Sequence, residues 1–209
     1  MDNLAFAPEL RVELQHRLAS NTWQSLPPAG QRQAAVVLAV VPADDGQAAI
    51  LLTRRASHLG RHGGQFALPG GRIEPGETAE VAGLRELAEE VGLDLPLSCL
   101  LGRTDDFVSR SGFHITALVA WGEAGEIEPD PGEVAAVYRV PLTDCGRPDA
   151  LVRTDFFSDQ TDVPALDLET VGTYVFSPTA AIIHQFAELA VHGRRTAVAH
   201  FEQPAFAWR

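Results

Sequence analysis

Three glutamates lie close together in a stretch of this chain that otherwise has the pattern of a helix. Glu86, Glu89 and Glu90 are three and four positions apart, so on a helix their carboxylates share one region of the surface. Like charges at this spacing destabilise a helix by roughly 0.2–0.5 kcal/mol per pair. Carboxylate oxygens are also the ligands that Mg²⁺ and Mn²⁺ prefer, usually together with substrate phosphates. The cluster therefore predicts a divalent-cation site, in which bound cations would remove the repulsion.

The approach to this helix supports a site over the common alternative, a solvated acidic face. The chain enters through Pro69-Gly70-Gly71, where the backbone can turn sharply and come close to a ligand. Arg85 stands beside the glutamates and can orient a carboxylate. We predict a helix over residues 78–91, with Thr78 as its N-cap and Gly92 as its C-cap.

The helical projection separates two faces of this segment. The acidic residues fall on the side away from the core, together with the small residues Ala79, Ala82 and Gly83. The predicted core face consists of Val81, Leu84, Leu87, Ala88 and Val91.

The same stretch resembles the Nudix box, whose pattern is Gly-x5-Glu-x7-Arg-Glu-U-x-Glu-Glu-x-Gly-U with U aliphatic. The match runs over residues 71–93 and fills every fixed position. The resemblance implies a hydrolase that cleaves a nucleoside diphosphate linked to another group X, with Mg²⁺ or Mn²⁺ as cofactor. It implies that Glu86, Glu89 and Glu90 bind the metal together with the carbonyl of Gly70. The matching residues are Gly71, Glu77, Arg85, Glu86, Leu87, Glu89, Glu90, Gly92 and Leu93.

By the same resemblance, Glu77 braces the loop through Arg85. The candidate catalytic residues are Glu86, Glu89, Glu90, Arg85 and Glu133. Glu133 begins a strand after Pro129-Asp130-Pro131-Gly132, where Nudix enzymes often place a further carboxylate. It is a candidate general base or extra ligand, and a surface residue at the entry of a strand is an equally good interpretation.

A basic segment precedes the box in this otherwise acidic chain. A phosphate-binding role and a basic surface loop are both open interpretations of it. Its potential cations are Arg54, Arg55, His58, Arg61 and His62. As candidate substrate-binding residues we take Arg54, Arg55, Arg61, His62 and Gln65.

This segment resembles the signature of coenzyme A diphosphatases within the Nudix group, LLTxR(S/A)xxxR followed by a glycine and FPGG. Two positions depart from it, because Gly60 stands in place of arginine and Leu68 in place of phenylalanine. The resemblance implies cleavage of coenzyme A or an acyl-CoA to 3′,5′-ADP and (acyl-)4′-phosphopantetheine. The matching residues are Leu51, Leu52, Thr53, Arg55, Ala56, Gly64, Pro69, Gly70 and Gly71.

Two other functions remain open at this point. The first is a Nudix hydrolase of another nucleoside diphosphate derivative, such as ADP-ribose or NADH. The second is a Nudix-fold binding protein without catalysis, which is disfavoured because such proteins usually lose box carboxylates and this chain keeps them all.

Composition sets the broad class. The chain has 209 residues, 45% of them hydrophobic, and a formal net charge of −12. We expect one globular domain over residues 1–209, without nucleic-acid or membrane partners, because an acidic surface repels both polyanions and anionic bilayers. No secretory signal or spanning segment is evident, so a cytoplasmic location is expected. A homodimer is compatible with these patterns but not required by them.

The predicted elements do not alternate as regular βαβ units, so the expected class is α+β. With the resemblance, the expected fold is an α/β/α sandwich in which a mixed β-sheet lies between helices. Residues 145–171 are polar and predicted to be rich in loops. Helices are predicted at 8–19, 78–91 and 179–191, and strands at 34–43, 49–54, 97–101, 112–121, 134–140 and 198–208.

Overall fold

The computed structural model describes residues 4–26, 29–58, 63–123, 125, 127–155 and 163–204. Within these residues the chain forms four helices and eleven strands. The helices are α1 (Pro8–Ser20), α2 (Ala79–Val91), α3 (Leu142–Cys145) and α4 (Thr179–His192). The strands are β1 (Arg32–Pro42), β2 (Ala48–Arg55), β3 (Phe66–Ala67), β4 (Gly70–Arg72), β5 (Leu100–Arg103), β6 (Phe107–Val108), β7 (Phe113–Trp121), β8 (Val134–Pro141), β9 (Leu151–Thr154), β10 (Val163–Leu168) and β11 (Thr173–Phe176).

The main sheet is built around β1, whose neighbours run in both directions. β1 pairs in parallel with β7, from Arg32 opposite Phe113 to Val40 opposite Trp121. Its other edge is shared by two antiparallel strands, β4 at its beginning and β2 at its end. β8 lies antiparallel to the outer edge of β2, while β5 and β6 lie antiparallel to β7. The sheet is therefore mixed.

β1 is a continuous apolar run because both faces of the sheet are covered by other elements. Val37, Ala39 and Val41 face α2 and form one core with its apolar side chains. Leu38 and Val40 face the opposite way, into a larger core that includes residues of α1 and α4. This layering of helices on both sides of a mixed sheet confirms the predicted α+β class and the α/β/α arrangement.

α1 and α4 contact each other on the side of the main sheet opposite α2. The α1 leucines at positions 10, 14 and 18 are buried, as their spacing of four predicts. Arg17 of α1 donates from Nη1 to the carbonyl oxygens of Leu189 and Ala190, at 2.9 and 3.0 Å. These carbonyls lie in the last turn of α4, where a cation is favoured by the helix dipole.

The prediction that residues 145–171 are rich in loops needs correction for the described part of that range. It contains β9 and β10, which form a small antiparallel sheet together with β11. Leu166 and Leu168 of β10 are fully buried. Proline and aspartate, which are uncommon in strands, outweighed the apolar residues of Val163–Leu168 in the prediction.

Two other predictions need correction. The segment predicted as a strand at 97–101 begins as a 3₁₀ turn, Leu97–Cys99, and becomes a strand only at Leu100. The predicted final strand at 198–208 is absent from its described part, where residues 198–204 contain no regular element. Residues 205–208 lie outside the described residues. Among the described residues, no helix has both the length and the apolar character needed to cross a bilayer.

Candidate active site

α2 has both of the caps that its sequence predicts. The hydroxyl oxygen of Thr78 accepts a hydrogen bond from the N–H of Val81, at 3.3 Å, and so satisfies one of the unpaired amides of the first turn. Gly92 ends the helix in the left-handed conformation, at φ 73°. The boundaries of the helix that carries the glutamates are thus set by local sequence.

The face that α2 turns toward the sheet differs from the predicted one. Val81, predicted in the core, is 42% exposed, whereas Ala82 and Gly83 are buried. A β-carbon on Gly83 would lie 2.9 Å from Leu118 and 3.1 Å from Val37, so the helix approaches the sheet closely at this point. A helical projection gives only relative angles, and the small residues allow the contact that decides which face is buried.

Because α2 turns a different face toward the sheet, Glu90 is buried, although it was expected on the solvent side. Its side chain is 3% exposed and accepts from the N–H of Gly70 at 3.1 Å. Arg55 lies 3.5 Å from its other oxygen. Burial raises the pKa of Glu90 to about 7; these two donors oppose the shift, and the charges of Glu86 and Glu133 add to it.

The side chain of Glu86 fills the space between α2 and the Gly70-Gly71 turn. Its carboxylate occupies the space that a β-carbon would need on Gly71, so no other residue fits there without displacing it. Gly70 is equally constrained, because a β-carbon on it would come within 2.6 Å of the Cα of Val36, at a φ of 153°. Burial raises the pKa of Glu86 above its ordinary value, and Arg85 opposes this.

Arg85 joins the loop and the helix through its guanidinium. It donates from Nε to Glu77 at 2.9 Å, and from Nη1 to Glu86 at 3.0 Å and Glu89 at 2.8 Å. Nη2 reaches the second oxygen of Glu77 and the carbonyl of Arg72, both at 3.2 Å. The bond to Glu77 raises the pKa of Arg85 and lowers that of Glu77. The expected bracing contact between Glu77 and Arg85 is therefore present in the structure.

The glutamates are held by cations and amides of the chain itself. Within the described residues, no three acidic, histidine or cysteine side chains are placed as a ready-made metal site. Arg85 instead lies between the carboxylates of Glu86 and Glu89, and Arg55 lies beside Glu90. These carboxylates already gather around a positive charge, and their oxygen atoms are the hard ligands that a divalent cation prefers, so these residues fit such an ion.

A cavity of about 250 Å³, here called the main cavity, opens beside the glycine turn. Arg55, Gln65, Gly70 and Gly71 line it, which brings two of the predicted substrate-binding residues next to the predicted metal site. Its remaining lining residues are Ala34, Val36, Phe66, Ala67, Arg72, Ser109, Ser111, Phe113, Ile115, Pro178 and Thr179.

The other predicted residues are placed differently. Arg54 is exposed and does not appear among the described lining residues of the main cavity, so its substrate role stays a prediction. Glu133 is exposed, and its negative charge contributes to the raised pKa of Glu86 and of Glu90, so its carboxylate lies near theirs. Arg61 and His62 lie outside the described residues.

Sequence reasoning missed two arginines near the cavity. Arg72 follows Gly71 directly, and its guanidinium carbon lies 5.8 Å from the ring centre of Phe113. Arg32 lies over the same ring at 3.9 Å and donates to the carbonyl of Ser111 at 2.7 Å. The position of Arg72 beside the box was a visible signal, whereas Arg32 and Phe113 are brought together only by the pairing of β1 with β7.

Comparison with known proteins connects this geometry to a family. Residues 31–158 match the family model described as the NUDIX domain. Over 116 residues the chain is 35% identical to proteins named "Uncharacterized Nudix hydrolase NudL" from Yersinia pestis and Yersinia pseudotuberculosis, a match covering 54% of this chain and 57% of each relative. The chain thus spans little more than half the length of these relatives.

Solved structures agree with the fold. A NUDIX hydrolase from Alicyclobacillus acidocaldarius superposes with a TM-score of 0.55 at 18% identity, covering 77% of this chain and 92% of the other. A MutT protein from Methanosarcina mazei Go1 gives a TM-score of 0.50 at 19% identity, covering 81% and 98%. At this level of identity the likeness shows the fold alone.

Proposed function

The chain belongs to the NUDIX domain family, and on that premise we propose that it is a divalent-metal-dependent diphosphatase of coenzyme A or its acyl esters. The reaction consumes one water and gives 3′,5′-ADP and (acyl-)4′-phosphopantetheine. The observation that carries the catalytic part is the convergence of Glu86, Glu89 and Glu90 on Arg85 and the Gly70-Gly71 turn, beside a cavity.

Each residue has a distinct task in this proposal. Glu86, Glu89 and Glu90 hold Mg²⁺ or Mn²⁺, together with the carbonyl of Gly70. The bound cation supplies charge neutralisation of the diphosphate and activation of water. Because Arg85 contacts two of these carboxylates and is itself fixed by Glu77, it positions the ligand set.

Two further residues are assigned to the attacking water and to the phosphates. Glu133 is proposed as the general base that takes the proton from the attacking water, because it is solvent-accessible and its charge acts on the glutamate site. Arg55 lines the main cavity and is placed to contact a phosphate oxygen. As the water oxygen bonds to one phosphorus atom, the bond between that phosphorus and the bridging oxygen of the diphosphate breaks.

The choice of coenzyme A rests on the segment 51–71, which resembles the signature of that group and ends at the cavity. Arg55 and Gln65 of this segment are among the lining residues, which supports a substrate role for it. The same arrangement of glutamates and cavity is compatible with another nucleoside diphosphate derivative, so hydrolysis of ADP-ribose or NADH is the second candidate.

Product analysis tests the proposal directly. The protein is incubated with coenzyme A, ADP-ribose and NADH, each with Mg²⁺, with Mn²⁺ and with EDTA. We expect 3′,5′-ADP from coenzyme A, faster than cleavage of the other two, and no product in EDTA. Preferential cleavage of ADP-ribose or NADH would discard coenzyme A and keep the chemistry. Undiminished turnover in EDTA would refute the metal role of the glutamates.

A further inference from the structure

A second cavity adjoins the main cavity, on the side of the small sheet. Its volume is about 200 Å³, and we call it the β11 cavity, after the strand whose residues form one wall. Its described lining residues are Gly64, Gln65, Phe66, Tyr174, Phe176, Ser177, Pro178 and Thr179. Tyr174 and the residues after it lie beyond residues 31–158, the part that matches the family model.

The two cavities are neighbours because they share part of their walls. Gln65, Phe66, Pro178 and Thr179 line both. At this seam the hydroxyl of Thr179 donates to the carbonyl oxygen of Phe66, at 3.3 Å, and so ties α4 to β3. Each cavity alone is smaller than the roughly 300–1,000 Å³ of a typical ligand pocket, so a molecule the size of a dinucleotide would have to extend beyond the main cavity.

The two cavities differ in charge. Arg55 and Arg72 line the main cavity, where phosphates would lie. All described residues lining the β11 cavity are uncharged, and three of them are aromatic: Phe66, Tyr174 and Phe176. The β11 cavity thus suits an uncharged, partly apolar part of a substrate. A charged group buried there would have no opposite charge among the described lining residues to compensate for its lost hydration.

The aromatic wall follows from the strand pattern of β11. Val175 is buried in the core, so its neighbours Tyr174 and Phe176 lie on the opposite face of the strand. Both of these side chains are partly exposed, and both line the β11 cavity.

A buried hydroxyl in this wall also lacks a partner. Ser177 is 1% exposed, and its hydroxyl oxygen forms no hydrogen bond with any described residue. A buried polar group without a hydrogen-bond partner destabilises the folded protein. An amide or carbonyl group of a ligand in the β11 cavity would satisfy it.

We propose that the β11 cavity binds the non-nucleotide arm of the substrate, an uncharged chain that carries amide groups and contacts Tyr174, Phe176 and the Ser177 hydroxyl. The inference rests on the proposed function, because it assigns one half of a diphosphate substrate to a defined place. For coenzyme A this arm is pantetheine.

Binding of the two product halves separates this proposal from the catalytic one. Dissociation constants for 4′-phosphopantetheine and for 3′,5′-ADP are measured by titration calorimetry with Mg²⁺ present. The variants are Ser177→Ala and Tyr174→Ala, and the matched control is Thr173→Ala, an exposed residue of the same strand that lines neither cavity among the described residues.

We expect Ser177→Ala and Tyr174→Ala each to raise the dissociation constant of 4′-phosphopantetheine by about three- to ten-fold, because each variant loses one contact. The dissociation constant of 3′,5′-ADP should not change. Thr173→Ala should change neither. The melting temperature of Ser177→Ala should equal or exceed that of the wild type, because the hydroxyl has no described partner to lose. This rules out misfolding as the cause of weaker binding.

The outcomes of the two proposals are distinguishable. The assignment of the β11 cavity would be overturned if Ser177→Ala and Tyr174→Ala weakened the binding of both product halves equally, or if they weakened the binding of neither. Wild-type protein that cleaves ADP-ribose but does not bind 4′-phosphopantetheine would also overturn it, and would leave the diphosphatase proposal standing. Selective loss of 4′-phosphopantetheine binding in a protein that cleaves no diphosphate would support the cavity and refute the proposed activity.

Discussion

Replacing Gly71 by alanine should separate catalysis from folding. A β-carbon at this position would overlap the carboxyl carbon and both oxygens of Glu86, while normal contacts between carbon atoms are about 3.5–4.0 Å. The carboxylate is the far end of a flexible side chain, so it can swing away. The free energy of unfolding should therefore fall by less than it does when a core is overpacked, which costs about 1–3 kcal/mol.

The active site would lose much more than the fold. A displaced Glu86 leaves both its position beside Gly71 and its contact with Arg85, so the proposed metal site loses one of its three carboxylates. We expect kcat/KM to fall by about 10²-fold, equivalent to about 2.7 kcal/mol of transition-state stabilisation. The requirement for Mg²⁺ should shift to higher concentrations.

Two further variants make the test sharp. Gly125→Ala is the control, because a β-carbon there meets no described atom within 4 Å, and its rate and melting temperature should match those of the wild type. Gly70→Ala should unfold more easily, because its β-carbon meets the backbone of Val36, which cannot move aside. Rates and metal titrations of Gly71→Ala within two-fold of the wild type would refute the placement of Glu86 in the metal site.

Three other expectations follow from residues around the fold. Glu89→Gln should reduce turnover by at least about 10²-fold while leaving the melting temperature unchanged, because the Glu89 side chain is 61% exposed; wild-type-like rates would exclude Glu89 from the metal site. Ellman's reagent should titrate Cys99 in the native protein and Cys145 only after unfolding in guanidinium, because burial raises the pKa of the Cys145 thiol and shields it; two rapidly reacting thiols would contradict this. Burial lowers the pKa of His184, so its contribution to stability is present above about pH 6.5 and is lost as the pH falls through the lowered pKa. His184→Gln should therefore lose less unfolding free energy than the wild type between pH 8 and pH 5, and an equal or greater loss would contradict the shift.

The local signals of the sequence located most of the elements of the main sheet and its helices. The apolar run of β1, the caps of α2 and the leucine spacing of α1 each specify one element without help from the rest of the chain. β10 was missed because its stability comes from pairing with β9 and β11 and from burial in the core that includes α4, and the residue types of Val163–Leu168 alone do not reveal these contacts.

The site was predictable in its residues and less so in its arrangement. The resemblance to the box placed the three glutamates on the correct helix and implied the contact between Glu77, in the preceding loop, and Arg85. The burial of Glu90 could not be read from it, because that depends on how closely Gly83 lets α2 approach the sheet. The β11 cavity combines residues more than a hundred positions apart, and no local pattern brings Phe66 to Thr179.

The contact between α1 and α4 has a consequence for where the protein can be cut. Both helices lie outside residues 31–158, yet their buried side chains share one hydrophobic core with the main sheet, and Arg17 joins them to each other. A fragment trimmed to the matched residues would expose part of that core to water, at a cost of roughly 25 cal/mol for each Å² of apolar surface. The unit that folds is therefore larger than the unit that sequence comparison recognises. The main-sheet side chains that share this core with the two helices include Leu38, Val40, Ile50 and Leu52.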